Sequence, residues 1–177
     1  MKNFINALLR SLTGYQLSKF DTAGYAFRDK LTELITASNP HGNILDIGSA
    51  QGSYLKEHYS NVTTLDMQAP ADVIGDVTKM PFKDASFDYV ACFETLEHVK
   101  DPVQAMREIY RVLKPGGAFI GSAPFAYELH GEEYGDYWRF THQCWEQVLL
   151  KDLRQVSVTP YAGRPSAPGW YLVTGIK

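Results

Sequence analysis

The stretch Ile44-Leu45-Asp46-Ile47-Gly48-Ser49-Ala50-Gln51-Gly52 constrains the fold more than any other part of the chain. An apolar run short enough for a buried strand ends on an acid. Glycines follow at 48 and 52, and an amphipathic segment then starts. Glycine at such a turn permits dihedrals that other residues resist and lets a ligand approach the backbone. A strand that feeds a helix through a glycine turn is the first half of a parallel βαβ unit.

The rest of the chain repeats that alternation. Strands are expected over 43–47, 62–66, 72–75, 87–93 and 118–123, with a closing pair over 156–160 and 170–176. Helices are expected over 1–13, 22–37, 53–59, 102–113 and 141–152. In the 102–113 segment Val103, Met106, Ile109, Tyr110 and Leu113 recur at helical spacing, and Lys114-Pro115-Gly116-Gly117 ends it. Strands alternating with helices specify an α/β fold with a mostly parallel sheet covered on both faces. Ligands of such sheets sit at the carboxyl ends of the strands, near the point where strand order reverses. No linker or repeat divides the chain, so 1–177 reads as a single domain, with 1–40 as an N-terminal helical cap and 124–142 as a lid-like segment.

Composition removes several function classes. Lys plus Arg is 17 against 20 for Asp plus Glu, a formal charge of −3. That balance argues against gripping nucleic acid by bulk charge. No apolar run approaches a membrane span, and MKNFINALLR is too polar for a signal peptide. Cys92 and Cys144 stand far apart with no CxxC, so no disulfide framework or zinc motif is expected. The chain reads as cytoplasmic, without stable membrane insertion, and as a monomer or homodimer.

The glycine turn departs from the dinucleotide fingerprint GxGxxG. Ala50 and Ser53 stand at its second and third glycine positions. Asp46 would repel a pyrophosphate but suits a ligand bearing an ammonium group. S-adenosylmethionine (SAM), with its sulfonium and amino-acid end, is such a ligand. Asp66, closing the second strand, can accept both ribose hydroxyl hydrogen bonds, a feature NAD and SAM sites share.

The blocks ILDIGSAQG, TTLDM, GDVTKMPF, SFDYVACFETLEHV and EIYRVLKPGG, in this order, resemble the class I SAM-dependent methyltransferases of the small type 11 branch. The resemblance covers 43–124 closely and the tail loosely. It implies a Rossmann-like methyltransferase fold whose mostly parallel central sheet has an antiparallel C-terminal strand. It implies SAM as cofactor, with S-adenosylhomocysteine as product. Asp46, Gly48, Ser49, Ala50 and Gly52 match the loop around the methionine part. Asp66 matches the ribose acid, Met67 packs near the adenine, and Asp76 and Val77 match the adenine edge. Phe93 and Glu94 match the strand end that faces sulfonium and substrate. One departure is large: residues 67–72 are too few for the family's helix between strands two and three, which is therefore missing. Glu97-His98 is read as an anchor for the following loop, with His98 near the strand mouth.

After the fifth strand comes an aromatic and ionic segment with Tyr127, His130, Glu132, Glu133, Tyr134, Asp136, Tyr137, Trp138, Arg139, Phe140, Thr141 and His142. Leaving the carboxyl end of a parallel strand, it should overhang the cleft. Three uses compete: a lid packed on the body with Arg139 paired to an acid, substrate recognition with proton transfer, and a metal cluster of His130, Glu132, Glu133 and Asp136. The last has no regular ligand spacing, and no metal is expected. The string H…DYWRFT resembles the tails of surface-polysaccharide and sugar-modifying members. The leading expectation is methyl transfer to a small-molecule or glycan acceptor, with His130, His142 and Glu94 as candidate proton acceptors. The alternatives are a SAM-binding partner or sensor without chemistry, a nicotinamide-dependent oxidoreductase, and a nucleic-acid methyltransferase.

Overall fold

A computed structural model describes residues 20–49, 52–131 and 133–177. The expected helix over 1–13, the cofactor position Ala50 and the lid residue Glu132 lie outside the described residues. The chain divides into two compact units, 1–39 and 40–177. Of the first, the described part is one helix, α1 (Phe20–Ser38), close to the expected 22–37.

The second unit is built on a seven-stranded sheet: β1 (Ile44–Ile47), β2 (Val62–Asp66), β3 (Val73–Ile74), β4 (Phe87–Phe93), β5 (Leu113–Pro124), β6 (Arg154–Arg164) and β7 (Ala167–Ile176). Its order is β3-β2-β1-β4-β5-β7-β6. The first five are parallel, while β7 runs antiparallel to both β5 and β6. All four residues of β1 are buried, as befits a central strand covered on both faces. Strand order reverses between β1 and β4, where Ile47 lies beside Cys92. The ends of these two strands therefore open the crevice in which α/β folds place ligands.

The connection from β2 to β3 holds no helix, as the sequence implied. A carboxylate clamp replaces it. Asp72 accepts from the Thr64 N–H and the Thr64 hydroxyl, each at 3.0 Å, and its own N–H donates to Thr64 Oγ1 at 2.8 Å. Lys56 closes the clamp from outside and, with the Thr64 bonds, holds the Asp72 carboxyl down at about 2. Between β1 and β2 lies α2 (Tyr54–His58), capped by Ser53, whose hydroxyl accepts from the Lys56 N–H at 3.0 Å.

The helix α3 (Pro102–Val112) begins where an N-terminus should. Asp101 caps the Gln104 N–H at 2.9 Å, Pro102 occupies the first turn, and Ala105, Met106, Ile109 and Val112 form its buried face. The helix ends before 114–117 as expected, but these residues already belong to the strand expected from 118. Leu113 pairs with Phe87, and Gly116 and Gly117 exchange hydrogen bonds with the chain end at Lys177. Partners from another strand hold these residues extended, which local turn chemistry does not foresee. The helix expected over 141–152 is one α-turn, α4 (His142–Cys144), followed by a π-helical turn (Trp145–Leu149). There the Leu150 N–H reaches back to Trp145 O at 2.8 Å, and the Trp145 side chain is fully buried. The closing strands are longer than expected and meet in a hairpin between Arg164 and Ala167.

Candidate active site

The cofactor half of the site starts at Gly48. Its φ of +80° is left-handed, and a Cβ there would lie 2.0 Å from Thr95 Oγ1. Both facts demand glycine. The Thr95 hydroxyl lies 2.7 Å from Phe93 O and 3.4 Å from Ile47 O, so the turns after β1 and β4 are packed on each other. Gly52 has φ +126°, and a Cβ built there meets no described atom within 4 Å. That is a backbone held open toward the crevice, with room for a ligand. Ser49 is half-buried beside it, its hydroxyl turned toward Asp46 O at 3.4 Å.

Asp46 is 5% exposed, and its carboxylate accepts from the Ser53 hydroxyl. Burial pushes its carboxyl up to about 6, with the Ser53 bond opposing. A cation brought to this carboxylate would relieve the cost of its burial, which fits the ammonium end of SAM better than a phosphate. Asp66 stands at the end of the neighbouring strand and accepts from the Gln68 N–H at 2.9 Å. Met67 is 73% exposed, so its side chain is available to lie on a ring. Asp76 accepts from the Thr78 N–H and hydroxyl, each at 2.8 Å. Val77 is buried in the core, which leaves only its backbone for a ligand edge.

The second half gathers at the end of β4. Phe93 is half-buried there, and Glu94 adopts φ +45°, an unfavourable backbone for a non-glycine residue that concentrates at functional sites. Its Oε1 accepts from the Ser122 hydroxyl at 2.7 Å and its Oε2 from Trp170 Nε1 at 2.9 Å. Burial, reinforced by the nearby Glu97 charge, holds the Glu94 carboxyl well above the ordinary range. One 3₁₀ turn (Leu96–His98) then carries Glu97 and His98. Glu97 is fully buried, and neither carboxylate oxygen has a hydrogen-bond partner among the described residues.

The segment after β5 folds onto this turn. Tyr137 and Trp138 donate their N–H groups to Glu97 O at 2.8 and 3.2 Å. Trp138 Nε1 donates to Val99 O at 2.9 Å. The His98 ring binds Gly135 O through Nδ1. Asp136 takes both Arg139 Nη atoms and also accepts from the His130 N–H at 2.9 Å. These contacts bring His130 to Glu97: His130 Nε2 lies 3.8 Å from Glu97 Oε1, and His98 Nε2 lies 3.7 Å from the same oxygen. Tyr134 stands edge-on to His98, and Tyr127 stands edge-on to His130.

The expected site residues thus fall into separate places. Glu94 and His130 are brought together on either side of Glu97, close enough for their charges to interact. His142 is not: it sits on α4 with Nε2 3.1 Å from Glu146 Oε1 and its ring against Tyr171. Within the segment read as a lid, Arg139 is paired to Asp136 and Phe140 is buried against Trp145, whereas Tyr137 and Trp138 are exposed. Glu97 was read only as an anchor. Its backbone carbonyl does that work, but the sequence could not show that its carboxylate is buried and faces two imidazoles. The signal was its place in ETLEHV, three residues after Glu94.

A glycine turn at the switch point, an acid closing β2 and this strand order define a Rossmann-like fold of the class I methyltransferases. Residues 45–121 match the family model described as "Methyltransferase domain", so this segment is similar to the SAM-dependent methyltransferases. A demethylmenaquinone methyltransferase of Listeria monocytogenes is 38% identical over 120 residues, 67% of this chain and 50% of that protein. The chain spans about half the length of the curated relatives it matches. Among solved structures, the 1,6-didemethyltoxoflavin-N1-methyltransferase of Burkholderia thailandensis, crystallised with its substrate and S-adenosylhomocysteine, superposes with TM-score 0.61 at 22% identity, covering 90% of this chain and 86% of that one. A [4+2]-cyclase superposes with TM-score 0.64 at 18% identity, over 84% of this chain and 80% of its own.

Proposed function

We propose that this protein transfers the methyl group of SAM to a hydroxyl of a small-molecule or sugar acceptor. The observation that carries the reading is the adjacency of the two halves. The open glycine turn after β1 and the turn after β4 that carries Glu94, the buried Glu97 and His98, with His130 folded onto it, leave neighbouring strands, with Ile47 beside Cys92. A cofactor seated over the first half presents its sulfonium to the second.

SAM arrives already activated, so the protein's task is alignment and exclusion of water. The acceptor oxygen attacks the sulfonium methyl carbon, the S–C bond breaks, and S-adenosylhomocysteine leaves. The hydroxyl proton must pass to a base. Of the three expected candidates, His130 fits this role best. It is partly exposed, and its neighbours Glu97, Glu128 and Asp136 push its pKa upward. Glu94 favours its protonated form, which makes it a donor toward the acceptor. His142 is engaged elsewhere.

Two similarities support the acceptor class. The relatives' names specify small molecules, demethylmenaquinone in one case and 1,6-didemethyltoxoflavin in the other. The DYWRFT segment supports a sugar or glycan. A [4+2]-cyclase shares the fold, so the fold alone does not require methyl transfer. The buried acid–imidazole group favours chemistry over a SAM-binding module without it. The test is calorimetric titration with SAM and S-adenosylhomocysteine, with NAD as control. Micromolar binding of either adenosyl ligand, lost in Asp66→Ala, is expected; a folded protein that binds neither overturns the reading. An acceptor screen starting with phenols, quinols and sugars follows, with His130→Ala as the probe of the base.

A further inference from the structure

We propose that Glu97, His98 and His130 form a binding site for one divalent transition-metal ion of the zinc class, open on the acceptor side. The inference concerns the residues placed above beside the acceptor but rests on its own geometry; with an ion bound, His130 is its ligand and not the base. Burying a carboxylate with no partner is strongly unfavourable, and Glu97 is fully buried with both oxygens unbonded among the described residues. Something positive must compensate it.

Neither histidine closes a hydrogen bond to Glu97 as it stands. The His98 ring is fixed by its Nδ1 contact to Gly135 O, and His130 Nδ1 lies 3.2 Å from Glu128 O. A carbonyl can only accept, so each Nδ1 carries the proton. Each Nε2 therefore faces Glu97, and once its own proton is released it offers a lone pair there. The distances of 3.7 and 3.8 Å to Glu97 Oε1 are too long for a hydrogen bond. Three electron-pair donors thus converge on one point, with mutual separations within 4.8 Å. Around an ion with bonds of about 2.0–2.2 Å, tetrahedral ligand atoms lie about 3.3–3.5 Å apart. Each Glu97–histidine pair is within a few tenths of an ångström of that span, and the two imidazole nitrogens, separated by up to 4.8 Å, close on an ion by rotation of the rings.

The surroundings match those of a metal site. Ligating imidazoles characteristically donate their other N–H to a carbonyl or carboxylate, which fixes the tautomer. Both rings do so here, and Asp136 adds a carboxylate 3.3 Å from His130 Nδ1 while Arg139 balances its charge. Two imidazoles and one carboxylate suit zinc and its neighbours, whereas calcium and magnesium prefer oxygen alone. Glu94 is not a fourth ligand, since Ser122 and Trp170 occupy its oxygens. The remaining coordination position faces outward past His130, whose side chain is 31% exposed. An oxygen or nitrogen of the acceptor could fill it. The cluster differs from the sequence-level combination of His130, Glu132, Glu133 and Asp136. Glu97 and His98 reach it from a different strand end, and Asp136 is committed to Arg139.

The test uses the full chain after dialysis against a chelator. Zinc is titrated by calorimetry, and cobalt by its visible absorption. One equivalent of zinc at micromolar affinity or tighter is expected, with cobalt giving the bands of a low-coordinate nitrogen–oxygen site. His130→Ala, at a partly exposed position, should keep the fold by circular dichroism and lose at least tenfold in zinc affinity. Glu97→Gln should do the same if it folds. No stoichiometric binding by the folded wild type, or undiminished affinity in His130→Ala, overturns the proposal. SAM titration of the stripped protein separates the two readings. SAM binding without metal binding overturns the ion alone, and metal binding without SAM binding supports the ion while overturning the cofactor reading.

Discussion

Trp170 Nε1 donates to Glu94 Oε2 across 2.9 Å, tying the antiparallel strand β7 to the acceptor end of β4. The bond joins residues on strands that are not neighbours, with β5 between them contributing Ser122 to the other carboxylate oxygen. Glu94 is thereby held in an unfavourable backbone conformation by two side chains from two other strands.

Trp170→Phe should therefore lower the unfolding free energy by about 1–2 kcal/mol, since it leaves a buried carboxyl oxygen unbonded. Denaturant melts check this. Ser122→Ala should have a similar effect, and the double variant should deviate from additivity because both bonds meet on one carboxyl group. Wild-type stability in Trp170→Phe would show that the bond does not hold Glu94.

Asp46 should make stability fall with rising pH. Its folded pKa of about 6 exceeds the ordinary 3.8, so the protonated form stabilises the fold fully below about 4, and that contribution is lost as pH rises through about 6. The loss is about 3 kcal/mol. Asp46→Asn should remove it, so that melts at pH 4 and pH 7 differ less in the variant than in the wild type.

The same carboxylate should couple pH to cofactor affinity. An ammonium group prefers the ionised form, so SAM affinity should rise with pH through about 6 and level off above it. Titrations across that range in Asp46→Asn should be flat and weaker. A wild-type affinity independent of pH would separate Asp46 from the cofactor.

The Asp72–Thr64 clamp should be worth about 1–2 kcal/mol, because Asp72→Ala removes two bonds from Thr64 and the Lys56 ion pair in a partly exposed place. Loosening β3 also disturbs Asp66, whose carbonyl accepts from the Gly75 N–H at 2.9 Å. Weaker SAM binding should accompany the loss, read by melts and calorimetry on the same variant.

Gly48→Ala should abolish cofactor binding and destabilise the fold, because it combines a left-handed φ with a Cβ 2.0 Å from Thr95 Oγ1. Adding Thr95→Ala removes the hydroxyl and methyl but not the conformational cost of about 1–2 kcal/mol. The double variant should recover part of the stability and remain below wild type.

Much of the fold was legible in local chemistry. The strands of 62–66 and 87–93, the start of α3 at Pro102 and the missing helix after Asp66 follow from apolar runs, a cap and a count of residues. The errors share one cause. Lys114–Gly117 carries turn residues, yet it is extended because Lys177 supplies hydrogen bonds from the far end of the chain. The segment 141–152 has helical periodicity, yet burying Trp145 widens it into a π-turn.

The sequence by itself pointed to the residues proposed to hold the cofactor. Asp46, Gly48, Gly52 and Asp66 act through strand ends and turn dihedrals, which are properties of short segments and their spacing. Tertiary structure alone decided the other half. Glu97 and His130 are far apart in the chain, and a glutamate between a threonine-leucine pair and a histidine looks like any surface acid. Only the folding of 128–139 back onto the turn after β4 removes water from Glu97 and sets two imidazoles against it. Burial and convergence change what a carboxylate can do, and neither is encoded in its neighbours along the chain.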